Sequence, residues 1–362
     1  MPKRIKCAMI LVVAKIKNTK YILEVFPLYD YDITANDSCQ IDELLQSLKP
    51  KREWGKQAAD WLVGHVSIDQ QARYSRCGDY ITLLGNDDLS KKKIETAFFC
   101  GMRMCPGCAW RESLRSATCI SAISQEMSAQ KRIMIMLTLT VRNVPGDQLR
   151  ETCLHVNKSW DRLIRRARYR AAWADNIRKM EITYNAQRDD YHPHLHVIVY
   201  VRPGYFNSKK YISRAQLLED WKQATGFDNI TQVHITRCRD LNNRSQAVLE
   251  VSKYAAKASD FCYSQSVFDV FFKAMSHLRT MSYSGICKQL RQDFIAGRLN
   301  KYLPVDDTKY VWRLVYQYFA DTGYINVDTE AYTPPTPTGF HELVGNITPW
   351  ESPTALELSE VT

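Results

Sequence analysis

No stretch of the 362-residue sequence is apolar for long enough to cross a bilayer. The longest early run, Ala8 to Ala14, follows Lys3, Arg4 and Lys6 and imitates the start of an export signal. It lacks a small-residue cleavage site before Lys15, so a cytoplasmic location is expected. Internal repeats are also missing, which excludes solenoid and propeller arrays. Basic residues are absent from the end of the chain. No Lys or Arg follows Arg313, whereas Asp321, Asp328, Glu330, Glu342, Glu351, Glu357 and Glu360 do. With those seven acids set aside, the formal charge of +10 becomes +17 on residues 1–313. No long basic amphipathic anchor accompanies this excess, so the expected polyanion is nucleic acid and not membrane. Eleven cysteines, an odd number without a convincing export signal, argue against a disulfide frame and for reduced thiols, some of them metal ligands.

With 45% hydrophobic residues the chain can bury a substantial core. Residues 1–75 begin with an apolar strand-like segment and then read as mainly helical scaffold. Ile41, Leu44, Leu45 and Leu48 keep helical spacing, Pro50 is read as an interruption, and Trp54, Ala58, Trp61 and Leu62 resume the pattern. A Cys-rich region, 76–120, follows. Cys105-Pro106-Gly107-Cys108 offers two thiolates from one tight turn, and Cys77 and Cys100 complete a tetrahedral sulfur set suited to structural zinc. Cys119 or His65 is an alternative for one ligand, and a redox pair is a weaker reading of the same motif.

Ile133 to Val141 is an apolar run expected to form a central strand covered on both faces. Helical spacing then runs from Leu149 to Ala167. Its basic end, Arg165, Arg166, Arg168 and Arg170 beside Tyr169 and Trp173, is a candidate surface for a single DNA strand. Lys179 to Asn185 alternates as a strand, a polar turn follows, and Tyr191 to Tyr200 places His192, His194 and His196 at alternate positions. In an extended strand these leave one face about 6.6 Å apart, the geometry of a metal site. A hairpin pairing Asn185 with His192 would put Glu181 opposite His196 on that face. Ser213 and Gln216 signal another helix, and Ile230 to Thr236 another strand. This order predicts an α+β fold with a central antiparallel sheet covered by helices. A further helix, about Ser245 to Ser259, would set Glu250, Tyr254 and Lys257 on one face: a carboxylate, a nucleophile and a cation. Tyr310 to Tyr316 reads equally as strand or helix. The proline-rich acidic residues 331–362 read as a flexible tail.

Several of these motifs stand in one order: Phe99-Cys100, Cys105-Pro106-x-Cys108-x-Trp110, Leu137-Thr138-Leu139-Thr140, Glu181-x-Thr183-Tyr184-Asn185, Asp189 through His196, and Lys253-Tyr254-x-x-Lys257. Over roughly residues 77–290 this arrangement resembles the HUH endonucleases, and among them the replication initiator (Rep) proteins of bacterial rolling-circle plasmids. The resemblance implies an HUH nuclease core over 121–265, a C-terminal helical extension over 266–330, and a site-specific nick in one strand of a plasmid origin. Tyr254 would keep the 5′ phosphate as a phosphotyrosine and free a 3′ hydroxyl that primes the host polymerase. Glu250 would activate water to end a round. Mn2+ or Mg2+ would sit at His194 and His196, with Glu181 or His192 as a third ligand, and Lys257 or Lys253 would face the phosphoryl charge. Arg165, Arg166, Arg168 and Lys253 are the expected DNA contacts. Expected partners are plasmid origin DNA, single-stranded at the nick, and a host helicase and polymerase, with no membrane. Rival readings are a conjugative relaxase or HUH transposase, an iron oxygenase using the two histidines and Glu181, and a non-catalytic zinc-stabilised DNA-binding regulator.

Overall fold

The computed structural model describes residues 38–333; the expected strand-like start and the tail from Pro334 onward lie outside the described residues. The described chain opens with α1 (Ser38–Trp61) and α2 (Ile68–Ser75), then the hairpin β1 (Tyr80–Asn86) and β2 (Lys92–Ala97). There follow α3 (Pro106–Ala129), β3 (Ile133–Thr140), α4 (Leu149–Arg165), α5 (Ala167–Trp173), β4 (Asn176–Asn185) and β5 (Asp190–Val201). After these come α6 (Arg214–Thr225), β6 (Val233–Arg237), α7 (Leu241–Ser252), α8 (Ala258–Phe261), α9 (Gln265–Met275), β7 (Met281–Ser284) and α10 (Ile286–Ile295), and β8 (Tyr310–Phe319) and β9 (Gly323–Ala331) close the series. The fold is α+β, with two antiparallel sheets covered by helices, as the element order predicts.

The larger sheet has the order β6-β3-β5-β4-β7. Its central strands β3 and β5 are apolar on both faces because both faces are covered. On one side Leu137, Leu139, Val197 and Val199 pack with Val156 and Trp160 of α4, Trp221 of α6 and Phe271 of α9. On the other, Met134, Ile198 and Tyr200 meet Ile120 and Ile123 of α3, Val251 of α7 and Leu290 of α10. Each fully buried aliphatic side chain contributes roughly 1.5–3 kcal/mol by leaving water, and this two-sided core holds β4 and β5 rigidly in register.

Three expectations are corrected. Pro50 lies inside α1 and does not end it. The missing N–H costs one helical bond, and buried Leu45 and Leu48 on one side with Ala58 and Leu62 on the other keep both halves anchored. The helix after Pro145 stops at Arg165, where Arg166 turns to an extended backbone (ψ 137°) before α5 begins. The region 266–330 is helical only in part: α9 and α10 lie there, but β7 joins the large sheet, and β8 and β9 complete a second sheet of order β2-β1-β8-β9. Tyr310 to Tyr316 is therefore strand. Its β-branched and aromatic residues pair with β1, Leu83 facing Leu314 and Ile81 facing Tyr316, over Leu45 and Leu48 of α1.

Candidate metal centre and nucleophile

The hairpin of β4 and β5 builds the site. Glu181 faces His194, Lys179 faces His196 and Thr183 faces His192. This register differs by two residues from the pairing of Glu181 with His196 expected from the sequence. Because strand side chains alternate, a two-residue shift keeps Glu181 on the histidine face. Its Oε2 lies 3.4 Å from His194 Nε2 and 3.0 Å from His196 Nε2. The other ring nitrogens are occupied: His194 Nδ1 is 3.1 Å from the His192 carbonyl and His196 Nδ1 is 3.3 Å from Thr138 Oγ1. Both Nε2 atoms are thereby aimed at one point, and the three residues are only 6–8% exposed. Burial pushes the Glu181 carboxyl up, but hydrogen bonds from His194 and His196 and their charge outweigh it and leave it well below the usual carboxylate range. Glu181, His194 and His196 form one of the two groups of metal-ligand type among the described residues. Two imidazoles and a carboxylate fit Mn2+ and also accept Mg2+. His192 is not in this group; its ring stacks on His194 at 5.1 Å, and burial followed by the charge of His194 holds its pKa down.

The last turn of α7 brings Glu250 to this cluster, with Oε2 3.9 Å from His196 Nε2 and Oε1 2.5 Å from Lys253 Nζ. The expected helix over Ser245 to Ser259 is corrected, because α7 ends at Ser252 and Lys253 is extended (ψ 150°). The physical reason is non-local: the Ala255 carbonyl accepts a 2.7 Å hydrogen bond from Ile182 N–H of β4, and Ala255 and Ala256 are buried there. Glu250, Tyr254 and Lys257 therefore share no helix face. Glu250 and Tyr254 still reach the same side of the sheet, while Lys257 is exposed at the N-cap of α8.

The Tyr254 hydroxyl donates to the main-chain carbonyl of Arg103. Burial pushes its phenol upward, and the nearby Arg103 charge opposes this. Lys179 Nζ lies 5.7 Å from the Tyr254 ring centroid. Burial presses the Lys179 ammonium down to about 8, against the pull of Glu112 and Glu181. Sequence reasoning missed both Lys179 and Arg103. Lys179 does carry a signal, since it stands two residues before Glu181 on a strand whose alternate positions form the metal face. Arg103 carries none beyond its place between clustered cysteines.

The second ligand group is Cys77, Cys100, Cys105 and Cys108. Sγ atoms of Cys77 and Cys108, and of Cys100 and Cys108, are 3.7 Å apart, and those of Cys77 and Cys105 are 3.3 Å apart. Four sulfurs at about 2.3 Å from one zinc would stand roughly 3.8 Å from each other, so the set fits a structural zinc. Main-chain N–H groups of Gly101 and Cys100 point at Cys108 Sγ and Cys77 Sγ, and hydrogen bonds with the neighbouring thiols, then that of Gly101, hold the Cys108 thiol well below its usual range. Neither alternative ligand joins: Cys119 lies on the buried face of α3 in the core, and His65 pairs with Asp269 at 3.0 Å.

Of the expected DNA contacts, Arg166 is held by Asp220 at 2.6 Å and Arg168 donates to the Tyr211 carbonyl at 2.7 Å. Tyr169 and Trp173 are buried in the core, so they offer no stacking platform; Arg165 and Lys253 remain exposed.

A protein-family model described as "Replication protein" (Rep_1) matches residues 91–312. Among curated proteins, the chain is 34% identical over 224 residues to "Protein rep" of Staphylococcus aureus, an alignment covering 61% of this chain and 97% of that relative. It is 32% identical to "Protein rep" of Streptococcus pneumoniae serotype 2, over 61% of this chain and 70% of the relative. The identity is also 32% with "Protein rep" of Bacillus amyloliquefaciens, over 62% and 73%. No solved structure matches the chain.

Proposed function

The chain belongs to the replication protein family Rep_1, and from that membership and the site geometry we propose that it initiates rolling-circle replication of a plasmid by nicking and rejoining one DNA strand at the origin. The observation that carries this reading is the convergence of Glu181, His194 and His196 with Glu250 and Tyr254 beside one hairpin. Glu181, His194 and His196 would hold a divalent ion, Mn2+ or Mg2+, which supplies Lewis-acid polarisation of the scissile phosphate. Cys77, Cys100, Cys105 and Cys108 would hold zinc, which orders the segment beneath Tyr254 and takes no part in the chemistry.

The chain's own residues divide the remaining work. The Tyr254 phenol gives up its proton to solvent and its oxygen bonds to phosphorus as the P–O3′ bond breaks, and the departing 3′ oxygen takes a proton from solvent, so that no proton is gained or lost overall. Lys179 and Arg103 place positive charge beside the phenol, which favours its ionised form and offsets the cost of burying it. Glu250, stationed 3.9 Å from His196, accepts a proton from water when the phosphotyrosine is hydrolysed. Lys253, paired with Glu250, and the exposed Lys257 would supply positive charge to the phosphoryl oxygens. Partners in this reading are origin DNA, single-stranded at the nick, and a host helicase and polymerase in the cytoplasm. No helix among the described residues is long and apolar enough to cross a membrane.

The test is to incubate supercoiled plasmid bearing the origin with protein and Mn2+, Mg2+ or EDTA. Open circles and a protein-DNA adduct surviving denaturant are expected with metal only. Tyr254→Phe is expected to abolish the adduct. An adduct that persists would move the nucleophile to another tyrosine, first of all Tyr263, which is 58% exposed. The absence of any metal-dependent nick sinks the reading.

A further inference from the structure

The far end of β3 from the metal cluster carries a second basic feature. An open hollow of about 420 Å³ is lined by Ile133, Arg237, Cys238, Arg239 and Arg244. Thr138 faces His196 across the sheet, and Ile133 stands five residues earlier, which places the hollow about 17 Å along the strand from the metal centre. β6 is an edge strand, and the chain leaves it through Cys238 to enter α7, the helix whose other end carries Glu250. The hollow and the candidate active site are thus the two ends of one helix.

The charges in this hollow are unbalanced. Arg237 comes from the end of β6, Arg239 from the connection and Arg244 from the first turn of α7. Among the described residues no carboxylate lies within ion-pair distance of any of the three. The adjacent acid, Asp240, spends its two oxygens on Asn243, at 2.8 Å to the main-chain N–H and 2.7 Å to the amide. Arg237 stacks over the Phe206 ring at 4.2 Å, which fixes its plane. Arg244 gives one Nη1 bond to Ser128 Oγ at 3.3 Å, while its Nε is buried with no hydrogen-bond partner. An unsatisfied buried guanidinium N–H is costly, and Arg239 and Arg244 have no acid to balance their charge. A tetrahedral oxyanion in the hollow would supply the missing negative charge and acceptors, for which forked guanidinium donors are well suited.

We propose that this hollow is a second phosphate seat, which binds a backbone phosphodiester of the DNA flanking the nicked bond and so sets the strand's path to Tyr254. The assignment to DNA rests on the nicking reading above. Phosphate contacts of this kind fix register and orientation without reading bases.

The test compares Arg239→Gln/Arg244→Gln with wild type on two origin DNAs, one ending a few nucleotides from the nick and one continuing for a further helical turn. Expected for the long DNA is roughly tenfold weaker binding, with a slope of log K against log salt shallower by about one. Binding and nicking of the short DNA stay at the wild-type level. Equal loss on both DNAs, or no loss on the long one, overturns the proposal. Inorganic phosphate is titrated in parallel. If it binds wild type, fails to bind the variant and leaves long-DNA affinity untouched, the seat takes free anions and the DNA assignment is wrong. Arg239→Gln alone, in an exposed connection, keeps the comparison valid should the double variant fold poorly. A wild type that nicks neither DNA removes the nicking reading, while the affinity comparison still decides the seat.

Discussion

Tyr254 is joined to Arg103: the phenol donates to the Arg103 main-chain carbonyl, and Arg103 stands between Cys100 and Cys105 in the segment that gathers the four thiols. The Arg103 side chain is itself pinned, donating to the carbonyls of Met275, the last residue of α9, at 2.6 Å and of Leu278, just beyond it, at 2.9 Å. Next to it, the Met104 carbonyl accepts a 2.8 Å bond from the Tyr74 hydroxyl. The proposed nucleophile therefore rests on the cysteine segment as a protonated phenol, and attack requires it to leave that carbonyl.

Cys108→Ser tests this dependence. Bound zinc, measured by atomic absorption, should drop to background, and the thermal midpoint should fall with a loss of about 2 kcal/mol or more. Mn2+ binding at Glu181, His194 and His196 should survive, while adduct formation falls because the support of Tyr254 is gone. A zinc-free variant with wild-type stability and adduct yield contradicts the structural role.

Glu181→Gln keeps the shape of the carboxylate and removes its charge. Mn2+ affinity, followed by the electron paramagnetic resonance of free ion, should weaken by tenfold or more. Nicking should recover only partly at high Mn2+. An unchanged Mn2+ titration would place the ion elsewhere.

Lys179 predicts a pH dependence of stability. Its folded value of about 8 lies below the ordinary 10.5. Below pH 8 the ammonium is present in both states and the cost of burying it stands in full. Between about 8 and 10.5 the unfolded chain keeps a proton that the folded protein has shed, so stability rises through this window by roughly 3 kcal/mol in total. Lys179→Met should flatten that rise, stabilise the protein at pH 7 in divalent-free buffer, and slow nicking by removing the cation beside Tyr254. Denaturant melts between pH 7 and 10 check it; a variant less stable at pH 7 contradicts the burial argument.

Glu250→Ala should leave nicking within a few-fold of wild type and lower hydrolysis of the phosphotyrosine by about 100-fold, the usual contribution of a general base. Adduct then accumulates where wild type releases product. Loss of nicking itself would assign Glu250 to the first step or to the metal.

The metal face was legible because parity is robust. His192, His194, His196 and Glu181 alternate, and the two-residue shift in pairing left every one of them on its predicted side. The cysteine group was legible for a different reason: four thiols in a reduced chain have few other uses, and the Cys105 to Cys108 turn seeds the cluster. The helix drawn through Tyr254 failed because periodicity cannot see the bond from Ile182 to the Ala255 carbonyl, which ends α7 early. The surroundings of the arginine surface were not legible, since Asp220, which holds Arg166 and also accepts from the Tyr169 hydroxyl, lies on a helix 54 residues further along in a pairing no local pattern announces. Lys179 was hidden by its ordinariness, one lysine on a strand edge as far as composition can say.

The outer sheet has a bearing on the order in which the protein is made. β1 lies between β2, a few residues away, and β8, and the Arg313 guanidinium clasps Glu95 at 2.7 Å and 2.8 Å across 218 positions of chain. During synthesis every strand of the five-stranded sheet emerges from the ribosome before β8 does, while β1 waits with one edge unpaired. The pairing that finishes the surroundings of the cysteine segment is thus among the last long-range contacts to form, and its loop-closure cost is met only at that stage. Nascent chains halted before Tyr310 should carry an assembled histidine hairpin beside an unfinished seat for Tyr254, so that the two halves of the candidate site are completed at different times.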